Sequence, residues 1–185
     1  GNSLTFANET LKADREIVLA AVKSNGSAFE YANKTLNADR EIVLAAVQSN
    51  RDALKYADEN FRDDREVVLA AVKSDASFNL DVSYVLKTAD ETLKADREIF
   101  LAALKEDLEA LKYADDSLKA DREFMLAAVK INGEALQFAS SETNSEIDFK
   151  KFNLYELEQI CSSLATLIVN DLADSSYQSI FNNLD

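Results

Sequence analysis

Apolar side chains along this chain gather in short bursts, and the bursts return. Ala13-Asp14-Arg15-Glu16 leads into the unbroken apolar run Ile17–Val22, and the same phrase recurs from Ala38, Asp63, Ala95 and Ala120. The Asp-Arg pairs begin at Asp14, Asp39, Asp64, Asp96 and Asp121, an even interval with one longer step between Asp64 and Asp96. A fixed short period marks stacked supersecondary units rather than a single globular core. An unbroken apolar run of this length wraps more than one face of a helix, so neighbours must cover it on several sides.

Each repeat carries signals for two helices. Asp14 stands where a short carboxylate caps free backbone N–H groups, and Glu16 places negative charge in the first turn. Asp63-Asp64-Arg65-Glu66 offers an alternative capping box one residue earlier. The small pair Ala20-Ala21 returns at Ala45-Ala46, Ala70-Ala71, Ala102-Ala103 and Ala127-Ala128, which predicts close helix approach. The first helix is expected to end near Asn25, Asn50, Asp75, Asp107 or Asn132, residue types that tolerate a left-handed cap. Ser27-Ala28-Phe29-Glu30 reads as a capping box for a second helix with the stripe Ala28, Phe29, Ala32, Leu36; the next copy reads Ala53, Leu54, Ala57, Phe61. The pattern predicts an all-α protein, an α-solenoid of short helix-turn-helix repeats with a period of about 25 residues. One unit cannot stand alone: ordering costs roughly 1.5 kcal/mol per residue, against roughly 1.5–3 kcal/mol returned by each buried side chain. Stacking must supply the difference.

The regularity is interrupted in three places. Leu4, Phe6, Ala7 and Leu11 align with Phe29, Tyr31, Ala32 and Leu36, so the chain opens on the second helix of a unit. The expectation is a piece of a longer array, with a native half-unit serving as a cap as the alternative. The third unit carries an insertion within Lys73–Val85. Alternation of Phe78, Leu80, Val82 and Tyr84 alone suggests a strand, but Val82, Val85, Leu86, Ala89 and Leu93 keep helical spacing. A loop near Ser74–Leu80 and a helix capped by Asp81 are predicted. Beyond Ala139 the repeat gives way to a polar linker, Ser140–Ser145. A longer amphipathic helix follows, marked by Leu154, Leu157, Ile160, Cys161, Leu164, Leu167, Ile168 and Leu172, then a short one at Tyr177, Ile180, Phe181 and Leu184. The domain expectation is a repeat array over 1–139 and C-terminal capping helices over 140–185. A separate interaction helix or part of an export signal is the other reading of that end.

Composition narrows the chemistry. With 34 acidic and 20 basic residues the net charge is −14, which argues against nucleic acid or anionic lipid as the main partner. There is no histidine and one cysteine, Cys161, so a disulfide framework, a Cys/His zinc site and histidine-based catalysis are excluded within these 185 residues. Three glycines and no proline leave little material for a loop-rich fold. No apolar run is long enough to span a membrane and no secretory signal pattern is visible, so membrane insertion is not expected. No cofactor is predicted.

Asp39-Arg40-Glu41-Ile42-Val43-Leu44-Ala45-Ala46-Val47, followed by Ala53-Leu54-Lys55-Tyr56-Ala57, resembles the repeat called domain of unknown function 4116, over Leu4 to Ala139. Repeats of that family occur in proteins of intracellular bacteria, including candidate effectors delivered into host cells by type IV secretion. The resemblance implies a helical repeat module from an effector-like protein, soluble in the bacterial cytoplasm before secretion into the host cytoplasm without a signal peptide. It supplies no catalytic residues. The enlarged third unit and the C-terminal segment depart from the family's pattern.

Several side-chain sets compete as sites. Arg15, Arg40, Arg65, Arg97 and Arg122 each place a cation near a helix N-terminus, which is unfavourable unless compensated. They are read as inter-repeat structural residues, each paired with a carboxylate of an adjacent unit; the alternative is a guanidinium ladder for an acidic ligand. Tyr31, Tyr56, Tyr113 and Phe138, with Phe6 ahead of them and Thr88 breaking the row, either pack between units or line a partner-binding groove. Phe78, Leu80 and Tyr84 of the insertion are further partner-binding candidates. The pairs Asp63-Asp64, Asp90-Glu91 and Asp115-Asp116 read as a solvated acidic face. Cys161 reads as a small buried hydrophobe. The expected function is non-catalytic protein–protein interaction. A spacer or targeting arm for an enzyme domain elsewhere is the alternative, and an autonomous hydrolase using acidic residues the remote one.

Overall fold

A computed structural model describes residues 3–74 and 81–147, together with positions 157, 160 and 161. Among the described residues all regular structure is helical. In chain order the α-helices are α1 (Glu9–Lys12), α2 (Arg15–Ser24), α3 (Arg40–Ser49), α4 (Arg65–Lys73), α5 (Val82–Thr88), α6 (Arg97–Leu104), α7 (Asp116–Lys119), α8 (Arg122–Ile131) and α9 (Ser141–Glu146). Short 3₁₀ turns fill most of the connections. Contacts divide the chain into two compact units, Gly1–Leu93 and Lys94–Asp185.

The long helices start where the sequence places them. Asp14, Asp39, Asp64 and Asp96 each accept from the N–H groups two and three residues on, and Asp121 accepts from that of Phe124. The cap of α4 is Asp64; Asp63 closes the preceding turn instead, so the alternative capping box does not form. In the first unit α2 packs on α3 and α3 on α4; in the second, α6 packs on α8. In four of the five pairs the second alanine carries the closest packing: Ala46, Ala71, Ala103 and Ala128 are fully buried, whereas Ala45, Ala70, Ala102 and Ala127 are partly exposed, and Ala21 of the first pair is partly exposed too.

The long helices end where expected, at Asn25, Asn50 and Asn132 and close to Asp107, but not in the expected conformation. No described residue has positive φ. Asn25, Asn50, Asp107 and Asn132 are extended, with φ between −158° and −144°, and their side chains accept from the N–H two residues ahead. Asn25, Asn50 and Asn132 thus close the helix behind in an extended rather than left-handed conformation and at the same time cap the following turn, as Asp107 also does. Ser27 therefore does not begin the second helix; Asn25 does. Residue 75 lies outside the described residues.

The second helix is also not one helix. Gly26–Tyr31 forms a 3₁₀ turn, Ala32 is extended, and Lys34–Leu36 forms another turn. The break recurs at Asn33, Asp58, Asp90, Asp115 and Ser140. Asn33, Asp58, Asp90 and Asp115 accept from an N–H two residues ahead, and Ser140 from Thr143 N–H three ahead. Short polar side chains compete in this way with helix continuation. The backbone N–H that each break exposes is satisfied by the preceding repeat: Asn33 donates to Lys12, Asp58 to Asn37, Asp90 to Arg62, Asp115 to Lys94 and Ser140 to Lys119. The two partners stand equally far apart in sequence each time, except at Asp90, where the insertion lies between them.

Two departures concern the interruptions. Ser140–Ser145 is not a linker: Ser140 caps α9, and the buried Thr143 donates its hydroxyl to the Ala120 carbonyl. The insertion ends as predicted, in α5 capped by Asp81. The loop expected near Ser74–Leu80 lies mostly, and the helices expected over 154–172 and 177–184 almost wholly, outside the described residues. Of the latter, Leu157, Ile160 and Cys161 are helical. Ile160 is buried and Cys161 exposed, correcting the buried reading of that thiol. Successive side chains on a helix diverge by about 100°, and Ile160 takes the inward direction.

Arg51, which the sequence does not single out, is fully buried. Its Nε donates to the Ala71 carbonyl at 2.8 Å, and one terminal nitrogen to those of Val72 and Ser74 at 3.1 and 2.9 Å. The last carbonyls of a helix lack intrahelical donors and carry the negative end of its dipole, so the guanidinium caps α4 by hydrogen bond and charge. The corresponding position one repeat earlier is Gly26, where an added Cβ would lie 2.3 Å from the Ala46 carbonyl oxygen. There the end of α3 rests directly on backbone; at Arg51 the end of α4 is held by a side chain. Arg51→Met is expected to lower unfolding free energy by about 3 kcal/mol or more, through stranded carbonyls. Urea denaturation checks this, with Arg51→Lys expected to fall between the parent and Arg51→Met.

Candidate functional site

The arginine row lies along the N-termini of the long helices. Arg15 Nε donates to Asp39 Oδ2 at 2.7 Å and its terminal nitrogen to Glu41 Oε2 at 2.6 Å. Arg40 repeats this with Asp64 and Glu66 at the same two distances. In the second unit Arg97 pairs with Asp121. Arg122 contacts its neighbour Glu123 at 3.2 Å, and Arg65 occupies the exposed first position of α4. Asp39 divides its labour: Oδ1 holds the N–H groups of Glu41 and Ile42, while Oδ2 takes the shorter bond from the arginine of the preceding repeat; Asp64 does the same for Arg40.

The electrostatic consequences follow from this geometry. The Arg15 hydrogen bond holds Asp39 below its usual carboxylate pKa, against opposing desolvation, and Arg40 does the same for Asp64. Burial pulls Asp121 upward but is outweighed by the Phe124 N–H and Arg97, leaving it lowered. Arg15 and Arg40 are raised by their carboxylate partners. The guanidiniums are half exposed, so each pair is screened and contributes register more than stability.

The 3₁₀ turns carry a second row. The turns that carry Phe6 and Tyr31 and the one that Tyr56 closes pack in succession in the first unit, and those bearing Tyr113 and Phe138 pack together in the second. Two residues earlier in each turn, Leu4, Phe29, Leu54, Leu111 and Leu136 are buried. The aromatic row itself is not: Tyr31 is exposed, and Tyr56, Tyr113 and Phe138 are half-buried. Tyr56 borders a notch of about 110 Å³ with Ser27, Glu30, Asn50, Asp52, Ala53 and Lys55. Burial pushes its phenol pKa up, and the Glu30 carboxylate adds to the shift. Thr88 takes the fourth place in the row and turns its hydroxyl back to the Tyr84 and Val85 carbonyls. Tyr84 lies half-buried in the first turn of α5; Phe78 and Leu80 lie outside the described residues.

The acidic pairs separate by role. Asp64 caps and pairs, as above, and Asp115 caps α7. Asp63, Asp90 and Glu91 line an open groove of about 410 Å³ together with Glu59 and Arg62. These four carboxylates are all exposed, so burial gives none a distinct environment of the kind that separates a general acid from a general base. Among the described residues no group of three or more acidic, cysteine or histidine side chains is placed to hold a metal ion, and no helix is long and apolar enough to cross a membrane.

A carboxylate with lowered folded-state pKa binds fewer protons than its unfolded counterpart, so its contribution is present above about pH 4 and is lost as pH falls below that. Asp39→Asn with Asp64→Asn is expected to be less stable than the parent at pH 7. Its deficit is expected to shrink between about pH 4 and pH 2, which thermal melts across that range measure.

Searches of curated proteins and of solved structures find no match for the chain. A family model does match, four times, at residues 1–37 and, in overlapping segments, at 39–94, 77–119 and 96–143. The last match reaches into α9, in keeping with the Ser140–Lys119 hydrogen bond that carries the repeat's bonding past Ala139. The chain belongs to the family described as Domain of unknown function (DUF4116).

Proposed function

We propose that this chain is a non-catalytic α-solenoid module for protein–protein interaction, with a repeat of about 25 residues, in which the 3₁₀ turns present the binding face. The stacking part of this reading is supported by two bonds that recur from repeat to repeat, the backbone hydrogen bond at each break and the arginine–aspartate pair. The observation that carries the binding part is the contrast within each turn. Phe29, Leu54, Leu111 and Leu136 are spent on the core, whereas the aromatic two residues later keeps an accessible surface. Rings that the core does not consume suit the anchoring of a partner segment, with aromatic area at the contact and polar groups around it.

Lys55, Glu30 and Asp52 surround Tyr56 with both signs of charge, a rim that rewards a partner of matched polarity. In the effector setting that the family resemblance implies, that partner is a host protein. Tyr56→Ala combined with Tyr113→Ala is expected to reduce partner capture from host-cell lysate at least tenfold while far-ultraviolet dichroism and the melting midpoint stay close to the parent. Collapse of folding in the double variant would show that the rings belong to the core, and undiminished capture would remove this face from the interaction.

A further inference from the structure

The notch beside Tyr56 is shared by two successive 3₁₀ turns of the first unit, and backbone capping fixes its polar groups. The buried Asn50 accepts from Asp52 N–H at 2.9 Å, and its amide donates to Ser27 Oγ on the preceding turn at 2.7 Å. The exposed Glu30 and the half-buried Asp52 thus belong to different turns yet line the same hollow of about 110 Å³, with the Tyr56 ring between their segments and the polar floor. Burial raises the Tyr56 phenol pKa most, and the negative charges of Glu30 and Asp52 act in the same direction. Lys55 is exposed on the rim, one ammonium against two carboxylates, so the lining is negative on balance.

The second unit gives an internal comparison. Counting from the caps, Asn25 corresponds to Asp107 and Asn50 to Asn132, which puts Glu109 at the place of Ser27, Lys112 at that of Glu30 and Phe138 at that of Tyr56. There the chain itself brings an ammonium to this part of the turn, and Lys112 pairs with Glu109. The same scaffold position carries the cation in one unit and the anion in the other. Where Glu30 replaces that lysine, two carboxylates and an aromatic ring surround a small hollow, a setting that suits a compact cation through charge and through the negative face of the ring.

We propose that this notch receives the ammonium group of a lysine side chain of the partner, placed between the Glu30 and Asp52 carboxylates and against the Tyr56 ring. The proposal rests on the reading of the 3₁₀ turns as the binding face and names what that face selects, a segment with an accessible lysine. An ammonium is a compact point charge whose three donors can reach separate acceptors, whereas a planar guanidinium is shaped for two-point pairing with one carboxylate.

The probe is a five-residue peptide with blocked ends and one central lysine among glycines, compared with a twin carrying glutamine, both titrated into the whole chain and followed by amide NMR shifts. The lysine peptide is expected to shift the Asp52 and Tyr56 amides saturably, and the glutamine twin to bind at least tenfold more weakly. Glu30→Gln should weaken the lysine peptide severalfold. Glu30→Lys, which copies the residue at the equivalent place of the second unit, should abolish binding while the melting midpoint stays near that of the parent. Glu109→Gln should leave the affinity unchanged. Equal binding of the two peptides, shifts spread over the acidic surface without saturation, or full binding by Glu30→Lys each overturns the proposal. The two readings fail separately. No peptide binding alongside reduced capture by the Tyr56→Ala, Tyr113→Ala variant strikes the lysine assignment alone, and saturable lysine binding alongside undiminished capture strikes the binding face and leaves the ammonium site.

Discussion

At the starts of α3, α4 and α8 a single carboxylate joins two levels of structure. Asp39 starts α3 by holding the N–H groups of Glu41 and Ile42 with one oxygen, and with the other it receives Arg15 from the repeat before. Asp64 does the same for α4 and Arg40. A helix start and an inter-repeat contact therefore cannot drift apart, since they share a side chain. The unfavourable placement of an arginine at a helix N-terminus is resolved by the same device: the guanidinium is aimed at the next helix's cap. The net energy of such exposed pairs is small, but they fix register among helices whose apolar sides, rich in alanine and valine, would otherwise pack almost equally well after a slip.

A second tie runs through the backbone. Breaking the second helix at Asn33 costs a helical hydrogen bond but frees an N–H that the Lys12 carbonyl accepts from the preceding repeat. The break thus converts a local bond into one that joins repeats. It also turns the connecting segment into short 3₁₀ turns, in which the inward residue is buried and the aromatic two places on remains accessible. Secondary structure of modest intrinsic stability is held in place here by bonds from the neighbouring repeat.

The insertion shows how the pattern absorbs an exception. Across it the backbone tie closes a longer stretch of chain but is kept, through Asp90 and Arg62. The end of α4 is held by the buried Arg51, where the end of α3 rests against Gly26. A glycine permits contact of backbone on backbone, and a guanidinium bridges a wider gap with several hydrogen bonds. The two residues solve the same problem, the unsatisfied carbonyls and close packing at a helix end, at different distances.

Much of this was legible in the order of residues. Helix starts follow from Asp-Arg-Glu before an apolar run, because capping is a contact over two or three residues and sequence displays it directly. The helix from Val82 to Thr88 was legible for the same reason. The row Phe6, Tyr31, Tyr56, Tyr113 and Phe138 could be named from spacing, but its accessibility could not, since exposure depends on what lies opposite. The roles of Asn25 and Asn33 were not legible: a polar residue between two apolar stretches can close one helix or open the next, and only the contacts around its backbone choose. Arg51 carried no local signal, because a charged side chain is accepted into the interior by carbonyls at the far end of the following helix. Local hydrogen bonding is written in neighbouring residues; burial and long-range acceptors exist only once the repeats have met.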